Sequence, residues 1–175
     1  EKIRYSPGER EEKDAGDDRC FKINVQGVLN LGSIVAERGA RGIFFSTNYV
    51  FSGRNNEKTL EQRNIPYIEK SETGDINHLC WYGATKLLME EALESILSLD
   101  YCVVRTAGLF GNDWQQKERK KSLIDHVVES VREGDKKISA VCDQHISITS
   151  TSDLAQMTRE LVHVYDKPYE QGKNL

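Results

Sequence analysis

Residues 41–51, RGIFFSTNYVF, set a short apolar run against a polar break. Ile43, Phe44 and Phe45 follow one another without alternation, which predicts a strand buried on both faces, as in a parallel sheet. Ser46 and Thr47 then fall at the C-terminal end of that strand, where open parallel sheets bind their ligands. Read alone, a Ser-Thr pair there is more often a turn leaving the sheet.

The flanks decide what kind of sheet this is. Upstream, Phe21, Val25, Val28, Leu29 and Val35 recur at three- and four-residue steps, predicting a helix from about Asp17 that Gly39 closes as a C-cap. Residues 1–19 are dense in charge and read as a loop or tail. Downstream, residues 52–80 are polar and turn-rich, and a loop of that length in a compact domain is usually functional or disordered. A second helix is expected from about Trp81 to Leu97, with Leu87, Leu88, Ala92, Leu93 and Ile96 facing inward. YCVVRT (101–106) reads as a second strand, followed by a Gly-containing loop, AGLFGNDW (107–114). A helix over about 121–133 ending at Gly134, a third strand KISAVC (137–142) and a last helix N-capped by Thr151 or Ser152 complete the order. Strict alternation of helix and strand requires crossover connections, so the expected class is α/β with a parallel sheet covered by helices, in a single domain over 1–175.

Composition narrows the function classes. With 38% hydrophobic and 30% charged residues the chain has a globular balance, not a disordered one. A net charge of −4 offers no polybasic footprint, which argues against nucleic acid as a partner. The one basic run, Lys117 with Arg119–Lys121, reads as a solvated segment. No apolar run approaches the roughly 20 residues of a membrane helix. Cys20, Cys80, Cys102 and Cys142 stand apart, without a C-x-x-C pair or an adjacent histidine that would make a metal site, and no N-x-S/T site is present. A reducing cytoplasm fits best.

Candidate chemistry lies in CWYGATK (80–86), where Tyr82 and Lys86 are four residues apart. At that spacing two side chains share one helix face. A neighbouring ammonium favours the phenolate, which would bring the tyrosine closer to working as an acid–base group near neutral pH. Gly83 and Ala84 are small enough to let a ligand approach. The pattern Y-x-x-x-K recurs at Tyr169/Lys173, but with Gly172 inside it and Pro168 just before, so no helix holds that pair together.

Taken in order, FFSTNYVFSG, PYIEKSE, WYGATK, VVRTAGLFG and DQHISITSTSDLA resemble the extended short-chain dehydrogenase/reductases, and within them the dTDP-4-dehydrorhamnose reductase branch, over about residues 21–165. The resemblance implies a partial doubly wound, Rossmann-like parallel sheet and NAD(P)-dependent reduction of a nucleotide-linked 4-keto sugar, with NADP or NAD as cofactor. It makes Tyr82 the catalytic acid, has Lys86 lower the pKa of Tyr82 and hold the nicotinamide ribose, and has Thr47 bond the substrate oxygen. It sets Ser46, Tyr82, Lys86, Arg105, Thr106 and Ala107 on the cofactor side, and Asn48, Tyr49, Asp143 and Gln144 on the substrate side. Asn24 supports the site from behind. The chain departs from the branch at Asn48, where an aspartate is usual, at Ile146 and Ile148, where glycine and proline are usual, and near His78, where a proline is usual.

Two other readings share the fold. One is a non-catalytic regulatory subunit resembling that of methionine adenosyltransferase, and the other is an NAD-dependent sugar-nucleotide epimerase or dehydratase. Relatives of this type often pair, which leaves a homodimer open. None of the thirteen glycines forms G-x-x-G-x-x-G or G-x-G-x-x-G after a strand. The sheet is therefore expected to lack its first strands, the chain to be the C-terminal portion of a longer reductase domain, and this portion alone to be inactive. The helix N-terminus that would cradle a pyrophosphate is not in it, so titration of NADPH into the isolated chain should show binding weaker than micromolar.

Overall fold

A computed structural model of the chain describes residues 18–51, 65–111, 122–134 and 146–165. The expected third strand, Asp143 and Gln144, the basic run and the Tyr169/Lys173 pair lie outside the described residues. The chain divides into two compact units, Glu1–Thr106 and Ala107–Leu175.

The first unit opens with α1 (Asp18–Phe21), a π-helical segment (Lys22–Gly27) and α2 (Val28–Glu37). The 3.6-residue pattern predicts one regular helix here, but the structure widens it to a π-turn around Asn24 and Val25. Such bulges re-aim side chains and are frequent at functional sites. Val25 is buried, and Phe21, Val28, Leu29 and Val35 are half-buried, as their spacing predicts. Gly39 has φ +58°, the left-handed conformation expected of a glycine just past a helix end.

The chain then enters β1 (Arg41–Thr47), crosses through α3 (Trp81–Glu94) and returns as β2 (Asp100–Thr106). The two strands pair in parallel from Arg41 opposite Asp100 to Thr47 opposite Thr106. Parallel neighbours cannot be joined by a hairpin, so a crossover segment is obligatory. Phe44, Met89 and Leu93 form the buried centre, with Val28, Ile96, Leu99, Tyr101 and Val103 packed around it. The Phe44 and Tyr101 rings meet edge to face with centroids 6.4 Å apart.

Two expectations need correction here. Phe44 is 6% exposed but Phe45 is 44% exposed, so β1 is not buried on both faces. Successive strand side chains point to opposite faces, and α2 and α3 pack on the face that Phe44 occupies. The helix expected to reach Leu97 stops at Glu94. The Ser95 hydroxyl donates to the Ala92 carbonyl at 2.6 Å, and Ser98 takes φ +63° in the turn that leads into β2.

In the second unit, β3 (Leu109–Phe110) and β4 (Thr149–Ser150) pair in parallel, where the sequence predicts only a loop. The strand period cannot be read from two residues, and the pairing partner lies forty residues away. α4 (Leu123–Arg132) starts in a reciprocal Ser122–Asp125 capping box. In α5 (Thr151–Tyr165) the N-cap is Ser150, whose hydroxyl accepts from the Asp153 N–H at 3.4 Å. Thr151 and Ser152 already lie inside the helix. No helix among the described residues is long and apolar enough to cross a membrane.

The core yields a direct test. Leu93 is fully buried, so Leu93→Ala should lower stability by about 3 kcal/mol in urea unfolding. Leu97→Ala, at a position 89% exposed, should change it by less than about 0.5 kcal/mol.

Candidate active site

Thr47 ends β1 and caps the 3₁₀ turn Asn48–Val50 that follows. Its hydroxyl accepts from the Tyr49 N–H at 3.3 Å and approaches Asn48 Oδ1 at 3.5 Å. The turn carries Tyr49 onto the start of α3. There a Cβ on Gly83 would run into the Tyr49 carbonyl, so only glycine permits this approach. The Tyr49 and Tyr82 rings consequently meet edge to face, 5.9 Å apart and inclined at 73°. Cys80 caps α3, its sulfur accepting from the Gly83 N–H at 3.5 Å.

Thr47 and Tyr82 come together: the threonine side chain lies near enough to the phenol to favour its ionised form. Lys86 is close by but aims elsewhere. Its ammonium donates to the Phe45 carbonyl at 2.8 Å and lies 3.8 Å from Met89 Sδ. Lys86 is not the group that sets the direction of the Tyr82 shift in this geometry. Burial pushes the Tyr82 phenol above its ordinary value, with the Thr47 side chain opposing the shift only in part. Burial likewise pulls Lys86 below the usual lysine value, against the opposing influence of Cys20 and Glu90. The physical cause is plain. A strand carbonyl offers the ammonium a near partner, while the half-buried phenolate would lose hydration.

Behind the helix, the Asn24 amide donates to Thr85 Oγ1 at 3.0 Å, and Thr85 Oγ1 donates to the Tyr82 carbonyl at 3.0 Å. Cys20 completes the cluster, 3.4 Å from the Asn24 nitrogen and 3.5 Å from the Thr85 oxygen. Asn24 thus reaches the backbone of the tyrosine turn from the π-segment, in the supporting place that the resemblance implies. Thr85 is fully buried and was not singled out from sequence. Its signal is a hydroxyl three residues after Tyr82, on a turn otherwise occupied by Gly83 and Ala84.

The remaining candidates divide. Thr106 lies beside Thr47 in the ladder, its hydroxyl 3.4 Å from the Ser46 carbonyl. Ser46 is buried at 4% exposure on the Phe44 face, and its hydroxyl finds no partner among the described residues. Arg105 turns to the same face, where its guanidinium grips Glu90. Ala107 begins the second unit. There Gly108 lies close to Ile146 and Ile148, both exposed. His78 sits exposed in the Ile76–His78 turn, 3.6 Å from the Asp75 carboxylate. Glu90 was also missed; a carboxylate between Leu87 and Leu93 on an inward helix face was the available signal.

The described residues thus assemble a protonated phenol, a hydroxyl and an ammonium around the C-terminal end of a parallel strand. Over residues 9–173 the chain matches the model of the RmlD substrate binding domain. The chain belongs to this family. It is 32% identical over 151 residues to a dTDP-4-keto-6-deoxy-D-glucose reductase of Streptomyces niveus, covering 86% of this chain and 46% of the relative. To the dTDP-4-dehydrorhamnose reductase of Escherichia coli K12 it is 26% identical over 151 residues, covering 86% and 44%. Among solved structures, dTDP-4-dehydrorhamnose reductase of Bacillus anthracis in complex with NADP superposes with a TM-score of 0.63 at 28% identity, over 83% of this chain and 45% of that one. The ortholog from Clostridium acetobutylicum gives 0.69 at 28% identity, over 90% and 48%. The chain spans about half the length of the curated relatives it matches. These likenesses bear out the RmlD-type resemblance and the partial Rossmann-like parallel-sheet class.

The influence of Thr47 on the Tyr82 phenol can be measured. Thr47→Val removes the contact that favours the phenolate, so Tyr82 should ionise at higher pH still. Ultraviolet difference titration against Tyr82→Phe isolates that one phenol. An unchanged or lower midpoint would contradict the geometry. The linkage has a defined sign: folding favours the protonated phenol, so the stability it contributes is present below the ordinary tyrosine value near 10 and lost as pH rises through the folded value.

Proposed function

We propose that a protein carrying this chain reduces a nucleotide-linked 4-keto sugar, with Tyr82 as proton donor. The observation that carries this reading is the placement of Thr47, at the C-terminal end of β1, beside the Tyr82 phenol at the start of α3. A phenol carries its proton at neutral pH and can give it to an oxygen that gains charge. The names of the matched relatives support the substrate class, and do not favour the regulatory-subunit or epimerase readings.

The chemistry divides between cofactor and chain. Reduced NADP or NAD, when bound, supplies the hydride that reaches the carbonyl carbon. Tyr82 gives its phenolic proton to the carbonyl oxygen. Thr47 hydrogen-bonds that oxygen and keeps the phenol aimed at it. Lys86 fits a place beside the nicotinamide ribose, since its ammonium is half-exposed and anchored to the strand end by the Phe45 carbonyl. Thr106 flanks it on the next strand. Asn48 and Tyr49, on the turn after Thr47, face the sugar. With Asn48 in place of the usual aspartate, the turn carries no negative charge beside the phenol.

Tyr82→Phe in the intact protein should lower turnover of a dTDP-4-keto-6-deoxy sugar by about 10²–10⁴-fold. NADPH affinity, read by fluorescence titration, should be unchanged. Turnover close to that of the unaltered protein would exclude Tyr82 as the donor.

A further inference from the structure

We propose that Glu90, Arg105, Phe51 and Tyr67 form a positioning column for the substrate-side turn, and that Arg105 acts through it without contacting the cofactor. This deepens, and rests on, the reductase reading above.

The column begins inside the helix layer. Glu90 is buried at 8% exposure on α3, where an unpaired carboxylate would be strongly destabilising. Arg105, on β2, satisfies it with a fork. Nη2 donates to Oε2 at 2.6 Å, and Nε lies 3.1 and 3.2 Å from Oε1 and Oε2. Two-pronged pairing fixes the guanidinium plane as well as its place. That plane lies over Phe51, with Cζ 5.2 Å from the ring centroid. The Phe51 ring stacks in turn on Tyr67, with centroids 4.3 Å apart and planes within 8° of parallel.

This places four side chains in one continuous contact: one from α3, one from β2, Phe51 just after the 3₁₀ turn and Tyr67 from within the 52–80 segment. Phe51 is where the chain leaves the 3₁₀ turn, and Tyr67 is on the returning limb. A second tie lies beside the stack: the Gly74 N–H donates to the Val50 carbonyl at 2.8 Å. The segment is therefore closed at its base, two residues from Tyr49 and four from Thr47. Whatever holds Phe51 holds the turn that presents Thr47, Asn48 and Tyr49. Lysine cannot replace arginine here, since a point charge neither forks onto Glu90 nor stacks on Phe51.

The test uses Arg105→Lys, Glu90→Gln and Tyr67→Ala in the intact protein. Each is read by KM and kcat for the dTDP-4-keto-6-deoxy sugar, NADPH affinity, and amide hydrogen exchange. Loosening the turn should raise KM for the sugar by about tenfold, with NADPH affinity within about twofold of the unaltered protein. Exchange at Gly74 and at 49–51 should quicken, while the β1–β2 ladder keeps its protection. Tyr67 is 44% exposed and outside the core, so its variant remains informative if a change at Glu90 prevents folding. Weakened NADPH binding with unchanged KM for the sugar would overturn the proposal, as would unaltered exchange at Gly74. If the unaltered protein reduces no keto sugar, the reductase reading fails, and the exchange at Gly74 alone still decides whether the column exists.

Discussion

The approach of the Gly83 backbone to the Tyr49 carbonyl is the contact on which the candidate site depends. It brings the first turn of α3 against the turn leaving β1, and no side chain larger than hydrogen fits between them. From that contact follow the edge-to-face packing of Tyr49 on Tyr82 and the reach of the phenol to Thr47. Backbone closeness is a sturdier device than a salt bridge for this purpose. It is short-ranged, insensitive to salt, and leaves the side chains at liberty to face a ligand.

Two supports keep the turn of α3 and the turn of β1 in place. One is apolar: Phe44 of β1 is packed against Met89 and Leu93 of α3. The other is polar and lies behind Tyr82, where Asn24 reaches Thr85, and Thr85 the Tyr82 carbonyl. The π-segment has a physical part in this. Asn24 lies in the widened segment Lys22–Gly27, and π-turns of this kind are frequent at functional sites. The polar cluster is partly buried and its members hydrogen-bond one another, and satisfied networks of this kind stiffen a structure.

The electrostatics modify the usual picture of a tyrosine made acidic by a nearby lysine. In this chain the ammonium binds a strand carbonyl, and the phenol is governed by its own burial. Lys86 sits at the strand ends and does not set the direction of its neighbour's shift.

Much of this was legible in the residues themselves. The order of helix and strand, the inward faces of α2 and α3, and the Gly39 cap each follow from a local period or a backbone allowance that a single segment expresses alone. So does the pairing of Tyr82 with Lys86 on one helix, and the ordered motifs carry the family. Tertiary structure decided what depends on a second segment. Phe45 reads as core by its neighbours in sequence, yet which face of a strand is covered is settled by the helices that pack on it. Arg105 reads as a loop cation near a cofactor, yet a carboxylate fifteen residues earlier claims it. The aim of Lys86, the direction of the Tyr82 shift and the pairing of Leu109–Phe110 with Thr149–Ser150 belong to the same class. A hydrogen bond or a burial is a property of two partners, and sequence spacing names only one of them at a time.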